Sequence, residues 1–143
     1  MHSSNHWKLD KTNVKSEFIA IGELLEPEEF TQKLQIVPNR ICSKGEKINN
    51  SNTTRDVGRW ELFTEYEESL DINNQLKKIY YKLIDKKDLL KILKEKMELE
   101  YVFDFAINIK NRETPAIYFE QKFIGFCKDI GAIIDIDTYV DGD

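Results

Sequence analysis

The stretch that decides the fold is Tyr101-Val102-Phe103-Asp104-Phe105-Ala106-Ile107-Asn108-Ile109-Lys110. Successive side chains on a strand point to opposite faces, so Tyr101, Phe103, Phe105, Ile107 and Ile109 share one face. Val102, Asp104, Ala106, Asn108 and Lys110 share the other. Such an alternation belongs to a sheet that is packed on one side and wet on the other. Helices must then supply the covering layer, and the flanking sequence contains them.

Upstream, Leu76, Ile79, Tyr80, Leu83 and Ile84 recur at helical spacing and form one apolar stripe. After a polar break at Asp85-Lys86-Lys87-Asp88, the residues Leu89, Leu90, Leu93 and Met97 repeat the pattern, with Asp88 placed to cap the second helix. Downstream, a turn through Asn111 to Thr114 leads to Pro115-Ala116-Ile117-Tyr118-Phe119, read as a strand. Phe123, Phe126, Cys127 and Ile130 then make a short amphipathic helix that Gly131 terminates, and a last strand runs from Ile133 to about Val140.

In the amino-terminal half, Phe18 to Ile21 followed by Gly22 read as a buried strand. Pro27-Glu28-Glu29 opens a helix, because proline suits its first position and acids suit its first turn. Phe30, Leu34 and Val37 form its apolar side, and Pro38 ends it. A strand is expected over 39–44, then a polar loop from Lys44 to about Val57. From Gly58 to Tyr66 the chain alternates, with Trp60, Leu62, Thr64 and Tyr66 on one side and Arg59, Glu61, Phe63 and Glu65 on the other. The expected fold is α+β, an antiparallel or mixed sheet with helices mainly on one face, in the order β-α-β-β-α-α-β-β-α-β. Residues 1–16 are read as a flexible arm, 17–140 as a single domain and 141–143 as an acidic tail.

The 143 residues suit one core, and 41% hydrophobic residues argue for a packed globule despite 33% charged ones. The first residues carry no apolar run, and no segment approaches the roughly 20 apolar residues of a membrane helix, so a cytoplasmic protein is expected. Cys42 and Cys127 lie outside any zinc or paired-thiol spacing and are read as small buried side chains, with a disulfide or redox pair as the alternative. The net charge of −5 disfavours a general nucleic-acid binder.

Several features together resemble an uncharacterised bacterial family catalogued as domain of unknown function 4279. They are Phe18 to Gly22 before Pro27-Glu28-Glu29, the run Ile36-Val37-Pro38-Asn39-Arg40, Lys44-Gly45, Gly58-Arg59-Trp60, and Ile134-Asp135-Ile136-Asp137-Thr138-Tyr139. The resemblance spans about residues 17–140. It implies a small α+β protein and brings no established activity, so no catalytic residue is carried across.

The two histidines, His2 and His6, fall in the expected arm, which leaves the core without an imidazole base or ligand. That disfavours Ser-His and Cys-His catalysis and most zinc sites. A P-loop, a dinucleotide-binding glycine pattern and a nucleophile elbow are also lacking. Asp137, Tyr139, Asp141, Gly142 and Asp143 begin somewhat like a calcium loop, but Tyr139 is the wrong ligand type at the third position. Asp135 and Asp137 point the same way on a strand, as an acid–base pair would, and as two acids on a wet sheet face also would.

Between Pro38 and Trp60, Arg40, Lys44, Lys47, Arg55 and Arg59 face only Glu46 and Asp56, a local charge of +3. Arg40, Lys44 and Arg59 beside Trp60 form a candidate anion site, against the plainer reading of a solvated hairpin with Arg packed on Trp. The open sheet face is the preferred functional surface: Asp104, Asn108, Asp135, Asp137 and Tyr139, with Glu61 as a further member. It is read as a docking surface for a basic protein or as a plain wet face. The resulting expectation is a non-catalytic interaction module without cofactor or metal. A concrete form is an immunity-type protein covering a basic toxin. An anion or ligand sensor using Arg40, Lys44, Arg59 and Trp60 is the alternative, and a histidine-free enzyme ranks last.

Overall fold

The computed structural model describes residues 9–49 and 51–141. Among these residues, six strands and four helices follow one another as β1 (Asn13–Gly22), α1 (Pro27–Leu34), β2 (Arg40–Cys42), β3 (Gly58–Phe63), β4 (Glu67–Glu68), α2 (Asn73–Leu83), α3 (Lys87–Met97), β5 (Glu100–Ile109), α4 (Gln121–Ile130) and β6 (Ala132–Val140). A 3-10 turn over Ile84–Lys86 joins α2 to α3. The strands form one mixed sheet in the order β2-β3-β1-β5-β6, with β4 on the start of β1. All pairings are antiparallel except β5 with β6, which is parallel. A parallel neighbour needs a crossover, and α4 provides it.

The register carries the apolar alternation across the sheet. Phe18 stands beside Phe103 and Leu62, and Ala20 beside Tyr101 and Trp60. These residues share the face on which all four helices pack, through Phe30 and Leu34 of α1, Leu76 and Ile79 of α2, Leu90 and Leu93 of α3, and Phe123 and Phe126 of α4. Phe103 lies 5.1 Å from Phe18 and 5.0 Å from Phe123 between ring centroids, so it joins the sheet to α4. The Trp60 indole is fully buried against Phe30, and its Nε1–H donates to Thr31 Oγ1 at 2.9 Å.

Several expectations are corrected. β1 begins at Asn13, so residues 13–16 belong to the sheet rather than to an arm; Val14 and Ser16 are fully buried against β5. Residues 1–8, including both histidines, lie outside the described residues. Residues 115–119 form no strand, because β5 is already paired on both edges, by β1 and β6. Ala116 instead bridges to Asp71 at the start of α2, and Phe119 stacks on Phe123 at 5.7 Å. Asp88 does not cap α3; it lies inside the first turn, where its charge still meets the helix dipole favourably. Val37 is 83% exposed, beyond the end of α1 at Leu34. Alternation on β3 stops at Phe63, and Tyr66 crosses to the opposite face, where Lys15 Nζ lies 5.6 Å from its ring.

Gly131 ends α4 as expected, in the left-handed conformation at φ +69°. A Cβ there would come within 2.9 Å of Lys94 Cε. Gly131→Ala is expected to lower stability by about 1–2 kcal/mol, the cost of placing an L side chain in that region. Gly125 lies inside α4 with open space around it, so Gly125→Ala is expected to raise stability by about 0.5–1 kcal/mol. Urea midpoints of the two variants should move in opposite directions.

Candidate functional site

The face of the sheet away from the helices is the one with unusual electrostatics. Strand register brings Glu17 of β1, Asp104 of β5 and Asp135 of β6 side by side in one row. Asp137 lies one pleat along, beside Ala106, and Glu61 of β3 stands beside Ile19. Five carboxylates thus converge from four strands that are far apart in the chain. Asp104, Asp135 and Asp137 each place a carboxylate oxygen within 4.8 Å of the other two.

Two of these acids resist ionisation. Burial pushes Glu17 up to about 7; Lys15 opposes this, while Glu61 adds to it through its charge and a shared hydrogen bond. Burial also pushes Asp104 up to about 7, helped by a hydrogen bond from one carboxyl to the other with Asp137 and by the charges of Asp137, Glu17 and Asp135. Among the described residues, none donates a hydrogen bond to the buried Asp104 Oδ1. Burial raises the Tyr66 phenol as well, followed by the charges of Tyr139, Asp104, Glu17 and Asp137. Near neutral pH the cluster therefore holds protons that isolated carboxylates would have lost.

The candidate residues named from sequence separate into groups. Asp104, Asp135, Asp137 and Tyr139 do share the open face, and Tyr139 is 57% exposed. Asn108 shares that face but is buried, where its Nδ2 donates to Asn13 Oδ1 at 2.9 Å and staples β5 to β1. Glu61 is buried too, and Arg59 Nε donates to its Oε2 at 2.8 Å. The face is accordingly not uniformly wet: Cys42, Ile19 and Ala106 are also buried there.

The basic constellation is split between the two faces of the sheet. Trp60 points into the helix side, whereas Arg59, its neighbour on the strand, and Arg40, opposite Glu61, belong to the other face. Lys44 sits beyond β2 in the following loop. The calcium reading fails on shape, since Asp137 and Tyr139 lie on an extended strand rather than in a curled loop. Asp141 pairs with Lys110 Nζ at 2.8 Å; Gly142 and Asp143 lie outside the described residues.

Glu17, Lys15 and Tyr66 were missed from sequence. The signal was present for the first two: Val14, Ser16, Phe18 and Ala20 alternate with Lys15, Glu17 and Ile19, which extends the strand backwards. Oxygen donors in this number suit a hard cation, which would still draw most of its ligands from water. Two surface depressions, of about 470 Å³ beside Pro38 and Arg40 and about 440 Å³ beside Lys94 and Gly131, involve none of the clustered carboxylates.

The model of a domain of unknown function, DUF4279, matches residues 2–141. The chain belongs to the DUF4279 family. No curated protein and no solved structure matches it. The stretches that carry the DUF4279 likeness have definite places in the fold. Gly22 and Gly58 face each other across β1 and β3. A Cβ on Gly22 would come within 3.0 Å of Leu99 and one on Gly58 within 3.3 Å of Leu25, so side chains there would crowd the turn into α1 and the start of β5. Asn39 extends the pairing of β2 with β3, its N–H donating to Glu61 O and its Oδ1 accepting from Phe63 N–H, both at 2.8 Å. The Asp135 to Tyr139 run is the outer edge of the acidic face. Among the described residues, no helix is long and apolar enough to cross a membrane.

Proposed function

We propose that the chain is a non-catalytic interaction module that docks a basic protein through the acidic sheet face. The observation that carries this reading is the convergence of Glu17, Glu61, Asp104, Asp135 and Asp137, where burial first and neighbouring carboxylates second raise the proton affinity of Glu17 and Asp104. The negative potential of the ionised members is relieved when guanidinium or ammonium groups approach, and it also speeds the encounter with a positive surface. Asp135 is exposed at the rim, where a partner's Lys or Arg can reach it, whereas Glu61 is buried and keeps Arg59. A partner of the toxin type, with a basic active site covered by this face, fits that geometry.

The test is capture from host lysate followed by titration of the captured protein, once purified, against wild type and an Asp135→Lys/Asp137→Lys variant. We expect a basic protein bound one-to-one, with affinity falling at least 100-fold in the variant (about 3 kcal/mol). Equal binding by a normally folded variant overturns the reading. Titration with calcium and magnesium salts separates it from simple cation binding: saturable binding of either ion at micromolar concentration, lost in the variant, would assign the carboxylates to a metal instead.

A further inference from the structure

β6 is the last strand of the sheet among the described residues, paired through all nine of its positions with β5 on one side only. The pairing runs without a bulge or proline, so the outer edge presents a continuous row of backbone donors and acceptors. None of the nine residues is buried, although the strand contains Ile133, Ile134, Ile136, Tyr139 and Val140. Long apolar edges of this kind pair with another chain unless something prevents it.

Charge decides which chain that is. β6 carries Asp135 and Asp137 and no basic residue. In an antiparallel pairing, directly opposed residues share a face. Two copies of β6 centred on residue 135, 136 or 137 would therefore set aspartate opposite aspartate, which disfavours a second copy of this chain. A basic strand meets no such penalty. The two rows of β6 also differ: Ile134 and Ile136 lie on the helix side, and Asp135 and Asp137 on the acidic side. An occupant with apolar residues alternating with lysine or arginine would match both rows at once.

We propose that β6 is extended by an added strand from a basic partner, an extended segment in which Lys or Arg alternates with an apolar residue. This rests on the docking reading above and specifies its geometry: the partner binds by strand addition at the edge rather than by covering the face alone. Backbone pairing supplies affinity in such complexes, and alternate side chains supply selectivity.

The probe is a capped eight-residue peptide of alternating lysine and valine, titrated into the full chain. Its control has the same composition, with every second peptide nitrogen methylated to remove the N–H donors. We expect the unmodified peptide to bind at least tenfold more tightly than the methylated one, and to slow amide exchange over residues 132–140 without slowing it in β2. Asp135→Asn/Asp137→Asn, which keeps the side-chain shape, should weaken it at least tenfold. Equal binding of both peptides overturns strand addition while leaving the acidic face as a charged docking surface. Binding of neither overturns strand addition, and the docking reading then stands or falls on its captured partner. A stable dimer in sedimentation, with β6 amides already protected, also overturns it by assigning the edge to a second copy.

Discussion

Replacing Phe103 with alanine is expected to remove about 3–5 kcal/mol of folding stability, the usual cost of deleting a buried aromatic ring. The ring is fully buried at the middle of β5. It packs on Phe18 from the neighbouring strand and on Phe123 and Phe126 from α4, so the cavity left behind is walled by a sheet and a helix together. Neither wall can close on it cheaply, because β5 is pinned by β1 and β6 and α4 is tied to β6 by a direct connection. The urea midpoint should drop sharply with the slope of the transition unchanged. Ile92→Ala, at a residue 62% exposed on α3, is the control and should move stability by less than about 0.5 kcal/mol. A small effect at Phe103 would mean that the sheet and α4 are not joined as described.

The second large effect is a loss of stability as the pH rises through neutrality. Glu17 and Asp104 have folded-state values near 7, above the ordinary 4.5 and 3.8 of the unfolded chain. Between those limits the native state binds more protons than the unfolded one, so stability falls with rising pH. The contribution of these two groups is fully present below about pH 4 and is lost progressively as pH climbs to about 7. Glu29, paired with Lys96, and Glu67, held by Lys78 and Gln75, are shifted the other way. Their contribution is lost only as pH falls below the ordinary carboxylate range, which leaves the window above pH 5 to Glu17 and Asp104. We expect stability to drop by about 1–2 kcal/mol between pH 5 and pH 8, well under the full linkage value because both groups are only partly shielded from water. Asp104→Asn should flatten this slope and raise the melting temperature at pH 8 while leaving it nearly unchanged at pH 4. A wild-type melting temperature that is level from pH 5 to pH 8 would show that the carboxylates are not crowded as their register implies.

The two effects differ in how far they could be seen from sequence. Phe103 announces itself, because five large apolar residues alternate with small or polar ones over ten positions, and only a one-sided sheet accommodates that pattern. The helices over Leu76 to Leu83 and Leu89 to Met97 and the stop at Gly131 are legible for similar reasons: each is written in local spacing. Parity alone even separates Trp60 from Arg59, since neighbours on a strand cannot face the same way. The same alternation that identified the strand therefore puts Trp60 of the anion candidate on the helix side and Arg59 on the open one.

What the sequence by itself determined was therefore local: that the segments with clear periodicity are strands or helices, which face of each is apolar, and that Asp104, Asp135 and Asp137 lie on polar faces. Only the tertiary structure decided that these faces meet. Glu17, Asp104 and Asp135 are separated by 87 and 31 positions and become neighbours through the antiparallel register of β1 on β5 and the parallel register of β6. Among the described residues, the same register buries Asn108 and Glu61, leaves the outer edge of β6 without a neighbour, and turns residues 115–119 away from a sheet whose places were already filled. Proton affinity follows from distance and burial, which long-range pairing sets; spacing along the chain carries neither.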